Sequence, residues 1–130
     1  MKKISFFICT IIFISCDKES CTEEIISNRT DSNLFINFIS SNISLNKKVF
    51  IEKKSKKTIG EIECSLGYVI VNYSSYDSIY IENSSNEILK VFKEETIDKN
   101  IYNVDEYWSL NKPSKNHFEY TYEITAEDLK

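Results

Sequence analysis

Cysteines are the residues of this 130-residue chain whose placement most clearly suggests chemistry. Cys16 directly follows twelve uncharged and mostly apolar residues, Ile4–Ser15, and two lysines precede that run. A short positive start before an apolar stretch is the layout of a secretory signal, and a membrane-spanning helix would need about 20 apolar residues. Ser15 is small but Phe13 is not, so the small-x-small cleavage pattern of an ordinary signal peptide is not met. The cysteine that follows, Cys16, is therefore the informative residue.

The stretch "FISC", residues 13–16, resembles a lipobox, the motif at which bacterial lipoproteins are cut and lipidated. Phe13 stands where the strictest motif has Leu, and Ile14 where it has a small residue, so the match is similar to the looser lipobox of Bacteroidota lipoproteins. The resemblance implies that residues 1–15 are a signal peptide and that Cys16 receives a diacylglyceryl group and an amine-linked acyl chain such as palmitate. Two or more acyl chains anchor a protein stably, so the implied location is the outer membrane, on its periplasmic or outer side.

Two cysteines remain for the folded part of the chain. Cys9 lies in the expected signal peptide and Cys16 would carry lipid, which leaves Cys21 and Cys64. An exported chain meets an oxidising compartment, so these two are predicted to form a disulfide, with two free, half-buried thiols as the alternative. The bridge would close a loop of about 44 residues and contribute about 4 kcal/mol. No zinc site is predicted, because only these two cysteines and His117 remain as nitrogen or sulfur ligands.

The part of the chain that follows the signal is acidic. The whole sequence has 16 basic and 20 acidic residues, and removal of the two signal lysines leaves 14 basic residues. Without a basic stripe to neutralise phosphates, a nucleic-acid partner is not expected. The one basic cluster, "KKSKK" at 53–57, predicts a solvated hairpin turn, and an anion site is the alternative. Residues 16–22 are expected to be the lipidated cysteine and a short tether.

No catalytic residue, metal ligand or cofactor site is predicted, so an enzyme is not expected. His117, the only histidine, begins an amphipathic strand on its polar face, which is typical of an exposed side chain. Nucleophile-elbow, P-loop and dinucleotide-binding patterns do not occur. Paired acidic residues such as Glu94–Glu95 and Asp105–Glu106 indicate solvated turns, since glycosidase carboxylates need a deep cleft.

Two adjacent aromatic residues, Tyr107 and Trp108, are the candidate ligand contacts. An exposed pair would stack on a sugar or anchor a protein partner. The alternative interpretation is that Trp108 fills one end of a β-sandwich as a core residue.

The elements that must carry these residues are predicted to be strands. In "HFEYTYEIT", 117–125, apolar and polar residues alternate, which indicates a half-buried antiparallel strand. The turn at Asn83–Asn86 predicts a hairpin, and "TIGEIEC" is expected to pair across the lysine turn with "VFIEK". The remaining segment "GYVIVNY", 67–73, is apolar throughout and is expected to be a central strand. The predicted strands are Glu23–Ser27, Asn33–Ser40, Val49–Lys53, Thr58–Cys64, Gly67–Tyr73, Ser78–Glu82, Glu87–Lys93 and the segment 117–125. About seven short strands at close spacing favour a single antiparallel β-sandwich over residues 23–130, immunoglobulin-like or Greek-key, with a helical turn after Thr125.

The chain's last third, "NIYNVDEYWSL…YTYEITAEDLK", is similar to the ends of short Bacteroidota lipoproteins with immunoglobulin-like β domains. The resemblance supports the fold and carries no function. The expected function is that of a membrane-anchored lipoprotein that binds a protein or glycan partner or acts structurally. The alternatives are an immunity or inhibitor lipoprotein that masks a toxin or protease, and a carbohydrate-binding accessory module.

Overall fold

A computed structural model describes residues 19–60, 62–66, 69 and 71–130 of the chain, so Cys16 and the predicted signal peptide lie outside the described residues. The regular secondary structure of the described part is β-strand except for one 3-10 turn (Ile43–Leu45) and one helical turn, α1 (Val104–Tyr107). Its nine strands are β1 (Ser20–Asn28), β2 (Leu34–Ile39), β3 (Lys47–Ile51), β4 (Lys56–Thr58), β5 (Glu63–Ser65), β6 (Ser78–Asn83), β7 (Ile88–Phe92), β8 (Trp108–Ser114) and β9 (His117–Ile124).

The strands form two sheets that pack face to face, which confirms the predicted all-β sandwich. The first sheet has the order β4-β1-β9-β8, and β5 pairs with the beginning of β1. The second has the order β3-β2-β6-β7. Every pair is antiparallel except β1 with β9, which run parallel over the whole length of β9. The first and last strands of the domain therefore lie side by side at the centre of the first sheet.

The core lies between the sheets and is made by side chains that alternate along each strand. In β9 the inward side chains are Phe118, Tyr120, Tyr122 and Ile124, as the alternation predicts, and the last three are buried. Facing them, the second sheet contributes fully buried Ile, Leu and Phe side chains, each of which stabilises the fold by about 1.5–3 kcal/mol. The largest contributors from that sheet are Leu34, Ile36, Phe38, Ile51, Ile79, Ile81 and Phe92.

The first strand begins three residues earlier than the sequence predicts. β1 starts at Ser20 rather than Glu23, because its first residues pair with β5 on one side and with β9 on the other. Cys21 and Thr22 consequently belong to the sheet, and the predicted tether is shorter than residues 16–22.

The predicted pairing across the lysine turn is wrong. β3 pairs with β2 in the second sheet, whereas β4, which follows the turn, pairs with β1 in the first. The turn is therefore a solvated corner between the sheets and not a hairpin, and Lys54 adopts a positive φ of 55° there. The predicted strand "TIGEIEC" is divided into β4 and β5, which both pair with β1.

The expected central strand 67–73 and the segment that forms β8 also differ from the prediction. Gly67, Tyr68 and Ile70 of the expected central strand are not described, while Val71 and Tyr73 are buried but belong to no strand. β8 was not expected, because it lacks alternation and contains Pro113, which is tolerated since β8 is an edge strand.

The last residues form a hydrogen-bonded turn instead of the expected helical turn. The Thr125 N–H and hydroxyl both donate to the Asp128 carboxylate, at 2.7 and 2.8 Å. That carboxylate also receives a hydrogen bond from Lys99 Nζ, at 2.8 Å. The hydrogen bonds from Lys99 and Thr125 hold the pKa of Asp128 below its usual value, although burial alone would raise it. The predicted beginning of this segment at Thr125 is therefore right, and its conformation is not helical.

Candidate functional site

A disulfide joins Cys21 and Cys64, as predicted, with an S–S distance of 2.11 Å. The two cysteines are register partners on the adjacent strands β1 and β5, so pairing of the strands brings the thiols together. Cys21 N–H also donates to the carbonyl of Asn116, at 2.7 Å, in the turn before β9. The bridge thus fixes the edge strand β5 to the centre of the first sheet.

Trp108 is a core residue, so the prediction that it contacts a ligand from an exposed position is wrong. Only 6% of it is exposed, and its indole N–H donates to the Ile101 carbonyl at 2.8 Å. Its ring stacks on Tyr73 at a centroid distance of 5.4 Å and packs against Tyr122 at 5.5 Å. Tyr107 is half-buried at the end of α1 and packs against the same core. The alternative interpretation of Trp108, a side chain that fills the sandwich, is the one that the structure bears out.

A polar cleft of about 320 Å³ opens beside this aromatic cluster and is lined by Glu24, Lys47 and Tyr76, among others. Tyr73 donates a short hydrogen bond to the Glu24 carboxylate, and burial together with that carboxylate raises the pKa of Tyr73. Lys47 Nζ donates to the Ile59 carbonyl at 3.0 Å, and burial lowers the pKa of Lys47. The Glu24 carboxylate and the Lys47 ammonium group thus both have hydrogen-bond partners within the domain.

The outer face of the second sheet carries a cluster of exposed and half-buried side chains that we call the aromatic face: Phe35, Phe50, Tyr80, Ile88 and Val91. Phe35 and Phe50 are register partners whose ring centroids lie 5.1 Å apart. Val91 is the partner of Tyr80, so the cluster extends across the sheet to β7.

Much of the aromatic face is open to solvent. The exposed fractions are 43% for Phe50, 46% for Val91 and 56% for Ile88. One ion pair lies among these residues, between Lys48 Nζ and the Glu82 carboxylate at 2.7 Å. Contiguous exposed apolar groups beside a few charges are typical of protein interaction surfaces. Local sequence does not distinguish this face, because β2 and β3 carry apolar residues on both of their faces.

The outer face of the first sheet is polar and brings together three residues that sequence reasoning kept apart, Glu23, His117 and Glu119. Glu23 of β1 is the register partner of Glu119 in β9, and His117 lies two residues before Glu119 on the same face. The His117 Nε2 atom is 3.4 Å from Glu23 Oε2 and 4.0 Å from Glu119 Oε1. We call this set the carboxylate–histidine cluster. His117 therefore lies against two carboxylates and is about 29% exposed, instead of standing alone on the surface.

The other acidic pairs considered as candidates are solvent-exposed. Glu94 and Glu95 lie in the turn after β7, as expected, and Asp105 and Glu106 lie in α1. Neither pair belongs to the carboxylate–histidine cluster.

The chain matches no protein-family profile, no curated protein and no solved structure. Among the residues that the structure describes, none of the helical segments has the length and apolarity required to cross a membrane.

Proposed function

We propose that this protein is an exported, lipid-anchored binding protein whose aromatic face contacts a protein partner. The lipobox-like "FISC" supports the anchor at Cys16, and the Cys21–Cys64 disulfide is what an oxidising compartment outside the cytoplasm allows. β1 begins at Ser20, so the folded domain would start only a few residues after the lipidated cysteine. Such a short tether would hold the domain close to the membrane and present its faces to neighbouring proteins there.

The exposure of the aromatic face is the observation that carries the proposal. Alternation places polar and charged side chains on the outer face of β9, namely His117, Glu119, Thr121 and Glu123. The outer face of the second sheet differs, since Phe50, Ile88 and Val91 lie exposed there beside the Lys48–Glu82 ion pair. Burying such side chains against a partner contributes about 25 cal/mol for each Å² of apolar area removed from water, and aromatic residues are frequent among the residues that dominate binding energy.

A protein partner is favoured over a glycan by the burial of Trp108. The glycan-binding alternative rested on an exposed pair, Tyr107 and Trp108, and Trp108 is 6% exposed. The aromatic face also carries a charge pattern that a protein can complement, because Lys48 Nζ lies 4.7 Å from the Phe35 ring centroid and binds Glu82. The immunity or inhibitor function is the case in which that partner is a toxin or a protease.

Substitutions on the aromatic face test the binding function. We expect the anchored wild-type protein, crosslinked in native membranes and purified, to retain a defined partner that the double variant Phe50→Thr/Val91→Thr loses. Threonine keeps β-propensity, so both exposed positions should tolerate it. The matched control is Leu110→Thr, which changes an equally exposed apolar residue (53%) on the edge strand of the other sheet. Equal recovery of every partner by the double variant and the control would refute the aromatic face as the binding surface.

Metabolic labelling tests the anchor separately. A fatty-acid probe should label the wild-type protein and should not label Cys16→Ala, which we also expect to leave the membrane fraction because the acyl chains supply the membrane affinity. Cys9→Ala is the matched control, since it removes a thiol from the same segment and should be labelled like the wild type. Equal labelling of Cys16→Ala and the wild type would refute lipidation at Cys16.

A further inference from the structure

We propose that Glu23, His117 and Glu119 form a binding site for a divalent transition-metal ion, with Zn²⁺ as the ion to test. The three side chains come from the parallel pair of first and last strands, β1 and β9, and they share the outer face of the first sheet. The site goes beyond the proposed binding function, because it lies on the sheet opposite to the aromatic face.

The positions of the donor atoms suit a small cation. One imidazole nitrogen and one oxygen of each carboxylate lie within 4.8 Å of one another. Zinc binds such ligands at about 2.0–2.2 Å, so neighbouring ligands of a tetrahedral ion are about 3.4 Å apart. The distance between His117 Nε2 and Glu23 Oε2 is already 3.4 Å, and that to Glu119 Oε1 is 4.0 Å. A small rotation of the Glu119 carboxylate would complete three protein ligands and leave the fourth position to water.

Each carboxylate is oriented by a hydrogen bond to the oxygen that does not face the histidine. Thr58 Oγ1 donates to Glu23 Oε1 at 2.5 Å, and Asn111 Nδ2 donates to Glu119 Oε2 at 3.0 Å. The free oxygen of each carboxylate consequently faces His117 Nε2. Hydrogen bonds of this kind orient metal ligands in proteins, and their loss typically costs 10–100-fold in metal affinity.

The histidine nitrogen at the centre of the cluster lacks a hydrogen bond. His117 Nε2 has almost no solvent-accessible surface and makes no hydrogen bond within the described part of the chain. Within that same part, neither Glu23 nor Glu119 forms an ion pair with a lysine or arginine. A solvent-shielded imidazole nitrogen beside two carboxylates is a site that a dication would satisfy in charge and in coordination.

The ligand set favours a transition metal over calcium or magnesium. Calcium takes six to eight oxygen ligands, and magnesium prefers octahedral oxygen coordination with several waters. Imidazole nitrogen suits Zn²⁺ and its neighbours in the first transition row. A bound ion would link the two strands beside the Cys21–Cys64 bridge, so we expect it to raise the melting temperature by binding only the folded chain.

Zinc titration of the full chain in detergent tests the site. In the unprocessed chain, which keeps residues 1–15 and an unlipidated Cys16, the thiols of Cys9 and Cys16 are first alkylated without reductant, which leaves the Cys21–Cys64 bridge intact. Competition with a chromophoric chelator should report one Zn²⁺ for each chain, and millimolar Mg²⁺ or Ca²⁺ should not displace it. His117 is the only histidine of the sequence, so NMR of labelled histidine should show one imidazole signal that changes until one equivalent of Zn²⁺ has been added.

Variants distinguish this site from adventitious binding. His117→Ala should abolish one-to-one binding, and Thr58→Val should weaken it about 10–100-fold while every ligand remains. Glu123→Gln is the matched control, because it removes a carboxylate from the same face of β9 four residues beyond Glu119 and should bind Zn²⁺ like the wild type. If His117→Ala does not fold, Glu119→Gln, which keeps the side-chain shape, tests the same loss.

Two results would overturn the metal site. The first is an imidazole signal that does not change at one equivalent of Zn²⁺, which would mean that His117 is only a hydrogen-bonding or ionic partner of the two glutamates. The second is zinc affinity that is the same in His117→Ala, or in Glu119→Gln, as in the wild type. Neither result bears on the aromatic face, whose partner is tested by substitutions on the other sheet.

Discussion

Asn28 is the residue whose replacement should reveal most about how the two sheets are joined. It is the last residue of β1, it is fully buried, and its amide Nδ2 donates to the carbonyls of Ser32 at 2.8 Å and Glu52 at 3.1 Å. Its Oδ1 accepts from the N–H of Thr30 at 3.0 Å and from the Thr30 hydroxyl at 2.7 Å. One side chain therefore connects the first sheet, the turn that leads to β2, and the residue that follows β3.

The cost of Asn28→Ala follows from these bonds. The substitution removes four hydrogen bonds to backbone groups, of which the one to the Ile51 carbonyl is long at 3.4 Å. The three shorter bonds each have a net contribution of about 1 kcal/mol, and their backbone partners are left with little water to replace the amide. We expect the free energy of unfolding to fall by about 3 kcal/mol. A domain of this size typically has 5–15 kcal/mol of stability, so the variant should still fold.

Asn28→Asp removes the amide N–H donors but keeps the size of the side chain. It therefore distinguishes the cost of the lost hydrogen bonds from the cost of the lost volume. The aspartate keeps the shape and the acceptor for Thr30, but its carboxylate faces the carbonyls of Ser32 and Glu52 and is buried. Burial and these oxygens should raise the pKa of the aspartate in the folded state above its unfolded value of about 3.9. The folded state would then bind the proton more tightly, so the penalty should be smallest below pH 4 and should grow as the pH rises.

Urea unfolding at pH 4 and pH 7, with the wild type at each pH as reference, measures both effects. The midpoint should fall and the m-value should stay the same. Asn72→Ala is the matched control, since Asn72 is exposed and its side chain accepts one hydrogen bond, from Ser74 N–H at 2.8 Å, so its loss should cost less than about 1 kcal/mol. A loss below about 1 kcal/mol for Asn28→Ala, or an Asn28→Asp penalty that is equal at both pH values, would refute the reasoning.

Three further predictions concern the bridge, the core and the C-terminal turn. Cys21→Ser/Cys64→Ser should lower the free energy of unfolding by about 4 kcal/mol, because the bridge spans a separation of 43 residues; an unchanged urea midpoint would contradict this. Trp108→Phe loses the indole hydrogen bond and should cost about 1–2 kcal/mol, against about 3–5 kcal/mol for Trp108→Ala; equal midpoints for the two variants would show that the tryptophan is not packed as described. The pKa of Asp128 is lowered in the folded state, so its contribution to stability is present above its unfolded pKa and is lost as the pH falls through its folded value. Asp128→Asn should therefore be less stable at pH 7 and lose less stability between pH 5 and pH 2 than the wild type, and parallel stability curves from urea unfolding would contradict the role of Lys99 as its partner.

Local sequence patterns predicted the strands whose environment repeats regularly along the chain. β9 has a polar outer face and an apolar inner face, and the hairpin of β6 and β7 has a turn rich in Asn and Ser, with Asn86 at a positive φ of 61°. β8 was missed because it lies at an edge, where one face and one row of hydrogen-bonding groups meet solvent and neither alternation nor the absence of proline is required.

Strand pairings and side-chain contacts between residues distant in the sequence could not be predicted from local patterns. The sequence around the lysine turn is compatible with a hairpin, and only packing of the two sheets assigns β3 to one sheet and β4 to the other. The carboxylate–histidine cluster depends on a parallel register between the two ends of the domain, which brings Glu23 beside Glu119. Trp108 follows an exposed glutamate and a half-buried tyrosine, and its own burial depends on Tyr73 and Tyr122 from other parts of the chain.

The sequence by itself determined the β-rich character of the domain, the inner face of β9 and the pair of cysteines available for a bridge, because these properties depend on residue type and on neighbours a few positions away. Tertiary structure decided which sheet each strand joins, that Trp108 is buried while Phe50 and Val91 are not, and that His117 meets two glutamates. The physical reason is that a strand satisfies its hydrogen bonds and buries one face equally well with several partners, so the choice is made by the packing of the whole sandwich.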